Sequence, residues 1–114
     1  MKSINASQLL ALYDNPQDIM LIDVRNPAEF SEVHVQGALN IPLDQLDAVS
    51  LLKSIPHLKS EPLYIICRSG VRSQTAGQKM MEAGFTNLIN IDGGTLACIQ
   101  AGLPLVSPQQ NLLS

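Results

Sequence analysis

The sequence is poor in aromatic and charged residues. It contains no tryptophan, its aromatic fraction is 4% and its charged fraction is 15%. The low aromatic content argues against a base-stacking platform for single-stranded nucleic acid. The formal net charge of −3 argues against a general nucleic-acid-binding surface, because such a surface needs an excess of basic residues. We therefore expect no nucleic-acid partner.

Long apolar runs are also missing. The longest are about five residues, as in Leu9–Tyr13, whereas about 18 residues are needed to span a bilayer. Residues 1–20 have no sustained apolar core and no small-residue cleavage pattern, so we expect no secretory signal. These observations predict a cytoplasmic protein with no membrane partner.

Cysteine and histidine are too few for a disulfide framework or a metal cluster. The two cysteines, Cys67 and Cys98, cannot form the several disulfides that stabilise a small disulfide-rich fold. His34 and His57 are isolated in the sequence, and no Cys/His group has metal-ligand spacing. We therefore expect a reducing compartment, no metal and no cofactor.

The hydrophobic fraction of 46% in 114 residues is enough for one packed domain. Helix starts are well marked. Asn5 with Gln8, and Asn26 with Glu29, have the spacing of capping boxes, and Pro27 occupies the first helical position of the second helix. The first helix is expected to end at residues 14–16, an Asp-Asn-Pro turn.

Short apolar runs alternate with helical patterns along the rest of the chain. Residues 19–24, 63–67 and 88–91 are typical of strands buried on both faces, and a further short strand is expected within 37–42. Helices are predicted from 43 to about 52, from 71 to about 83, and from 95 to about 101. The first of these has one apolar stripe, formed by Leu43, Leu46, Val49 and Leu52, which we expect to be buried. This order predicts an α/β domain with a parallel sheet and helices on both faces. The segment after Pro104 lacks periodicity, and we assign 106–114 to a loose C-terminal tail.

The segment Cys67–Ser73 is the most informative one for chemistry. Its cysteine comes at the carboxyl end of a predicted buried strand, where open α/β sheets place their ligand crevices. If the following loop curls around the sulfur, its backbone N–H groups form an anion nest at the start of a helix. Arg68 and Arg72 add full positive charges. These effects favour the thiolate over the thiol, so we predict a reactive Cys67. The plain alternative is an ordinary buried cysteine at a strand end.

The spacing of the second arginine narrows the chemistry further. Cysteine-dependent phosphatases place an arginine six positions after the cysteine, but here that position is Ser73 and Arg72 comes one residue earlier. The shorter loop makes a tighter ring of amides, which suits a terminal sulfur atom better than a tetrahedral phosphate.

The order and spacing of several motifs resemble the rhodanese (thiosulfate sulfurtransferase) family in its small single-domain form. The similarity covers about residues 3–105. The matching segments are Leu21–Arg25, Glu29–Phe30, His34–Pro42, the active loop Cys67–Ser73, Asp92–Gly94 and Gly102–Pro104. One departure is Cys98, which stands where many members carry tryptophan.

The resemblance implies a single rhodanese-like domain with a five-stranded parallel sheet. It also implies a double-displacement mechanism, in which the Cys67 thiolate takes the outer sulfur of thiosulfate or a persulfide donor and passes it to cyanide or a thiol. The amides of Arg68, Ser69, Gly70, Val71, Arg72 and Ser73 and the two guanidinium groups would hold the anionic donor and the leaving sulfite.

Asp23 and Arg25 are expected to support the loop and the sheet end. We expect a structural ion pair here, with Arg25 and Glu29 as the candidate partners, while Asp23 could orient Arg72 or a loop amide. Ser69 and Ser73 could donate hydrogen bonds to the persulfide, although Ser73 could equally well be a solvent-facing or backbone-bonded residue of the first helical turn. Cys98 is most simply a core residue.

Three other functions remain open at this point. The same persulfide could be relayed to a partner protein that accepts sulfur. The domain could be a non-catalytic interaction module, although such domains commonly lack the cysteine or its arginines. A small phosphatase or arsenate reductase is the third, although those use a loop one residue longer.

Overall fold

The computed structural model describes residues 1–13, 19–68 and 71–108. Its central sheet is made of the five strands β1 (Lys2–Ile4), β2 (Met20–Asp23), β4 (Leu39–Asn40), β5 (Leu63–Ile66) and β6 (Leu88–Ile91). These strands are all parallel and lie in the order β1-β6-β5-β2-β4. This sheet confirms the predicted fold class. The edge strand β1 has no strand signal of its own, and its place in the sheet comes from pairing with β6.

The sheet has an apolar core on each face, because neighbouring residues of a strand point to opposite sides. Leu21 of β2 packs on one side with helices α1 (Ala6–Ala11) and α5 (Gly94–Ala101). Ile22 packs on the other side with α3 (Ala48–Ser54) and α4 (Val71–Ala83). The prediction of helices on both faces is therefore confirmed. A further short helix, α2 (Pro27–Glu32), follows β2 closely.

Both predicted capping boxes are present. The Asn5 side chain accepts a hydrogen bond from the Gln8 N–H, and the Gln8 side chain accepts one from the Asn5 N–H, both at 2.8 Å. Asn26 and Glu29 repeat this exchange at 2.9 and 3.2 Å. The predicted end of the first helix, residues 14–16, lies outside the described residues.

The predicted helix from 43 to about 52 was wrong in its continuity. Leu43–Gln45 forms a single 3-10 turn, Leu46 is extended, and α3 begins only at Ala48. The Asp47 side chain accepts a hydrogen bond from the Ser50 N–H at 3.1 Å and so starts a new helix. As a consequence Val49, which we expected on the buried stripe, is 54% exposed.

The proposed tail also begins too early. Val106 forms β7 (Leu105–Val106), which pairs antiparallel with β3 (His34–Val35) in a second, two-stranded sheet. Pairing with His34 supplies backbone hydrogen bonds that the composition of the tail does not reveal. Residues 109–114 lie outside the described part of the chain. None of the helices described is long and apolar enough to cross a membrane.

Candidate active site

Cys67 directly follows β5, at the carboxyl edge of the sheet. The residue is 1% exposed. Its carbonyl oxygen accepts hydrogen bonds from the Thr95 N–H at 2.8 Å and from the Thr95 hydroxyl at 3.2 Å. The neighbouring carbonyl of Ile66 accepts a bond from the Val24 N–H at 3.0 Å. The backbone that carries the thiol is therefore held from both β2 and α5.

A close backbone approach explains Gly94 at the start of α5. Its φ of +59° lies in the left-handed region, and a Cβ there would collide with the carbonyl oxygens of Cys67 and Arg68. The N–H of Leu96 also donates to the Arg68 carbonyl at 3.3 Å. The first turn of α5 thus packs directly against the chain that leaves Cys67.

The Cys67 sulfur lies 3.5 Å from the Ser73 hydroxyl oxygen, to which the thiol donates. Ser73 is completely buried in the first turn of α4, so its solvent-facing alternative was wrong. Its hydroxyl donates a short hydrogen bond to Asn90 Oδ1, and Asn90 Nδ2 donates to Asp92 Oδ1 at 3.1 Å. Cys67 is therefore one end of a polar chain that runs through Ser73 to β6.

Asn90 is a site residue that sequence reasoning missed. It is 1% exposed and interrupts the otherwise apolar strand Leu88–Ile91. A buried amide needs hydrogen-bond partners, so a lone asparagine in a fully buried strand is a signal for a polar network. The sequence contains this signal but not the identity of the partner, which lies 17 positions away.

Arg72 forms a two-pronged ion pair with Glu29. Its Nη1 and Nη2 donate to the two carboxylate oxygens at 2.8 and 3.0 Å. The pair holds the pKa of Glu29 at about 2, chiefly through the Arg72 hydrogen bonds, with a further contribution from the Asn26 N–H. The pKa of Arg72 is raised by Glu29 and, to a smaller extent, by the negative charges of Cys67 and Asp23. The positive charge of Arg72 therefore favours the Cys67 thiolate in return.

The expected ion pair of Arg25 with Glu29 was wrong, because Arg25 binds Asp23 instead. Arg25 Nη2 donates to Asp23 Oδ2 at 2.8 Å and Nε donates to Oδ1 at 3.0 Å. Arg25 Nη2 also donates to the Val33 carbonyl at 2.7 Å. Both residues are buried, and Asn40 Nδ2 binds the two backbone carbonyls of the pair. Asp23 and Arg25 thus fix the end of β2.

The remaining predicted loop residues lie on the outside or outside the described chain. Arg68 is exposed and lines a cavity of about 330 Å³ with Thr95, Leu96 and Ile99. Val71 is 72% exposed at the start of α4. Ser69 and Gly70, which were predicted to complete the ring of amides, are not among the described residues.

Cys98 lies in the core on the opposite face of the sheet from Cys67. It lies on α5 and packs with α1, whereas Cys67 belongs to the cluster that contains α4. Burial raises the pKa of Cys98 to about 11, which makes it a poor nucleophile. Within residues 1–13, 19–68 and 71–108, no group of three or more His, Cys, Asp or Glu side chains could hold a metal ion.

Comparisons of this chain with known proteins agree on one family. A family model described as a rhodanese-like domain matches residues 5–101. A sulfurtransferase of Allochromatium vinosum is 31% identical over 109 residues, which are 96% of this chain and 98% of that protein. A chloroplastic thiosulfate sulfurtransferase of Arabidopsis thaliana is 36% identical over 91 residues, which are 73% of this chain and 76% of that protein.

A solved structure agrees with this result. The crystal structure of a rhodanese-like domain protein from Staphylococcus aureus has a TM-score of 0.72 and 28% identity, and the match covers 90% of this chain and 96% of that one. The family model spans most of the sequence and includes β2, Cys67 and the start of α5. The chain therefore belongs to the rhodanese-like domain family.

Proposed function

We propose that the protein is a thiosulfate sulfurtransferase that carries sulfane sulfur as a persulfide on Cys67. The observation that carries this proposal is the placement of the thiol: it lies at the carboxyl end of β5, next to the buried Ser73 hydroxyl and within the electrostatic influence of Arg72. Relatives named sulfurtransferase support sulfur transfer as the general activity. Thiosulfate as donor, and cyanide or a thiol as acceptor, are specific to the proposal.

The two half-reactions balance without a cofactor. The Cys67 thiolate attacks the outer sulfur of thiosulfate, the S–S bond of thiosulfate breaks, and sulfite leaves with the bonding electron pair. The product is a Cys67 persulfide. The acceptor, cyanide or a thiolate, then attacks the outer sulfur of this persulfide, the new S–S bond breaks, and the Cys67 thiolate is regenerated.

Positive charge is needed to stabilise the thiolate nucleophile and to bind the anionic sulfur donor. Arg72 lies close enough to Cys67 for their charges to interact, and Arg68 is the next residue in the chain and is exposed. We propose that the amides of residues 68–73, including Ser69 and Gly70, complete the anion site. Both cysteines are thiols, which suits a reducing cytoplasm.

Mass spectrometry of the intact protein tests this function. After incubation with thiosulfate and removal of the excess, we expect the mass to increase by one sulfur atom. The increase should be absent in Cys67→Ser and present in Cys98→Ser, which is the matched control. Cyanide should return the mass to its starting value with release of thiocyanate. No mass increase in the unmodified protein with thiosulfate or with an organic persulfide would refute the proposed function.

Exposed apolar side chains near Arg68 favour a second candidate, a relay that hands sulfur to a protein acceptor. Val71, Leu96 and Ile99 are 72%, 46% and 41% exposed. Leu96 and Ile99 line the same cavity as Arg68, and exposed apolar side chains that lie together are typical of a docking surface. Cyanide turnover separates the two functions. An enzyme acting on small acceptors should turn over cyanide rapidly and keep this turnover in a Leu96→Ser/Ile99→Ser variant. A relay should show slow cyanide turnover already in the unmodified protein.

A further inference from the structure

The hydrogen bonds between Cys67 and Asp92 have a fixed direction. Asn90 Nδ2 lies 3.1 Å from Asp92 Oδ1, and an ionised carboxylate only accepts hydrogen bonds. The amide nitrogen of Asn90 must therefore face Asp92, and its oxygen must face Ser73. Asp92, an exposed residue, thus sets the orientation of a side chain that is 1% exposed.

The orientation of Asn90 determines what Ser73 offers to the sulfur. An amide oxygen and a hydroxyl oxygen can form a hydrogen bond only through the hydroxyl proton, so the Ser73 proton lies on the Asn90 side. Ser73 therefore turns an oxygen lone pair toward Cys67 and accepts from its S–H group. This hydrogen bond suits a thiol, because a thiolate has no proton to donate to Ser73.

We propose that Asn90 is a positioning residue that competes with the Cys67 sulfur for the Ser73 proton and so favours the thiol over the thiolate. It acts only through Ser73 and does not touch the sulfur. For Ser73 to contribute to stabilising the thiolate or a persulfide anion, its hydroxyl has to rotate from Asn90 to the sulfur. The network thus opposes the ionisation of the nucleophile on which the proposed function rests.

Charged groups around Cys67 act in the other direction or are already paired. Arg72 on α4 favours the thiolate, and Arg68 is the adjacent residue. On β2, Asp23 is neutralised by Arg25. The first turn of α5, which contacts the Cys67 backbone through Thr95, carries no charged side chain. Asn90 of β6 and Asp92, the residue directly after β6, act through Ser73, and their effect on ionisation can be measured separately from that of the arginines.

The pH dependence of Cys67 alkylation tests the proposal without any sulfur donor. The rate of reaction with iodoacetamide follows the thiolate fraction, and peptide mass analysis separates Cys67 from Cys98. In Asn90→Leu the Ser73 proton is released to the sulfur, and we expect the midpoint to fall by about one pH unit, since a hydrogen bond to a charged group contributes about 1.5 kcal/mol. In a Ser73→Ala background the same substitution should leave the midpoint unchanged. Thr95→Val, which removes another buried hydroxyl next to Cys67, is the control and should not lower it.

Two substitutions of the exposed residue Asp92 provide a second test if Asn90→Leu fails to fold. Asp92→Ala and Asp92→Asn remove the same charge, but only asparagine keeps an acceptor for the Asn90 amide. We expect the alkylation midpoint of Asp92→Ala to lie below that of Asp92→Asn. Equal midpoints, or a fall in Asn90→Leu that persists without Ser73, would overturn the role of Asn90. If alkylation behaves as expected but thiosulfate adds no sulfur, the proposed function fails and the positioning role stands.

Discussion

Glu29 and Arg72 stand 43 positions apart in the sequence and join α2 to α4 through two parallel hydrogen bonds. The same carboxylate accepts the Asn26 N–H at 3.2 Å and so also closes the capping box of α2. One side chain therefore fixes the start of a short helix and holds the arginine that interacts with Cys67. A planar guanidinium that donates two hydrogen bonds to one carboxylate fixes the relative orientation of the two groups, which a single charge contact does not.

Glu29→Gln is expected to remove an acid-sensitive contribution to stability. The pKa of Glu29 is lowered from 4.5 to about 2 in the folded protein, so its ionised form stabilises the fold above about pH 4.5. This stabilisation is lost as the pH falls from about 4.5 toward 2. Because the pair is partly exposed, we expect about 1–2 kcal/mol at pH 7. Glutamine keeps an oxygen that can accept the Asn26 N–H.

Urea unfolding at pH 7 and pH 3 checks this prediction. The free energy of unfolding of the unmodified protein should decrease more between the two pH values than that of Glu29→Gln. Glu32→Gln, an exposed change at the end of the same helix, is the control and should behave like the unmodified protein. Equal pH dependence in all three proteins would contradict the stabilising role of the ion pair.

Asp23→Asn should destabilise the protein severely. The substitution leaves Arg25 buried without its counter-charge, and removal of one partner of a buried pair costs about 3–5 kcal/mol. The double variant Asp23→Asn/Arg25→Gln removes both charges, so we expect it to be more stable than Asp23→Asn alone. Thermal and urea unfolding of the three proteins measure the difference. A double variant no more stable than the single one would show that an uncompensated charge is not the cause.

Contacts between residues that are close together in the sequence were the ones most successfully predicted. The boxes at Asn5 and Asn26 connect residues three positions apart, and both were confirmed. The break before α3 is local too, but the competing cap at Asp47 lies within a pattern that otherwise fits one helix. The apolar stripe alone could not decide between one helix and two short elements.

Partners that are distant in the sequence could not be predicted. Four charged residues around the site allow more than one pairing, and we chose Arg25 with Glu29 where the fold pairs each with another residue. The choice depends on side-chain directions at the ends of β2 and α4, which the sequence does not specify. Asn90 was missed for the same reason, since its partner Ser73 lies on another element.

Arg72→Gln should slow the formation of the persulfide more than Arg72→Lys does. Both variants lose the two-pronged contact with Glu29, but lysine keeps a positive charge near Cys67. Loss of that charge should reduce the second-order rate constant with thiosulfate by about tenfold, which corresponds to about 1.4 kcal/mol. The masses of samples quenched at successive times after addition of thiosulfate give this rate constant. Lys79→Gln, another cation on α4 that lines the same cavity as Arg72, is the control and should have less effect.

Gly94→Ala and Gly102→Ala form a matched pair at the two ends of α5. Both glycines have positive φ, +59° and +85°, so either substitution strains the backbone by about 1–2 kcal/mol. A Cβ at Gly102 meets no atom within 4 Å, whereas one at Gly94 would collide with the carbonyl oxygens of Cys67 and Arg68. We expect Gly102→Ala to lose stability but keep sulfur loading per folded molecule.

Gly94→Ala should lose more stability and also most of its sulfur loading, because α5 has to move away from the chain that carries the thiol. Urea unfolding gives the stability of each variant, and intact mass after thiosulfate treatment gives the loaded fraction. Equal loading in the two alanine variants would mean that the packing of α5 against the Cys67 and Arg68 carbonyls does not position the sulfur. Loss of loading in both would instead assign the defect to backbone strain alone.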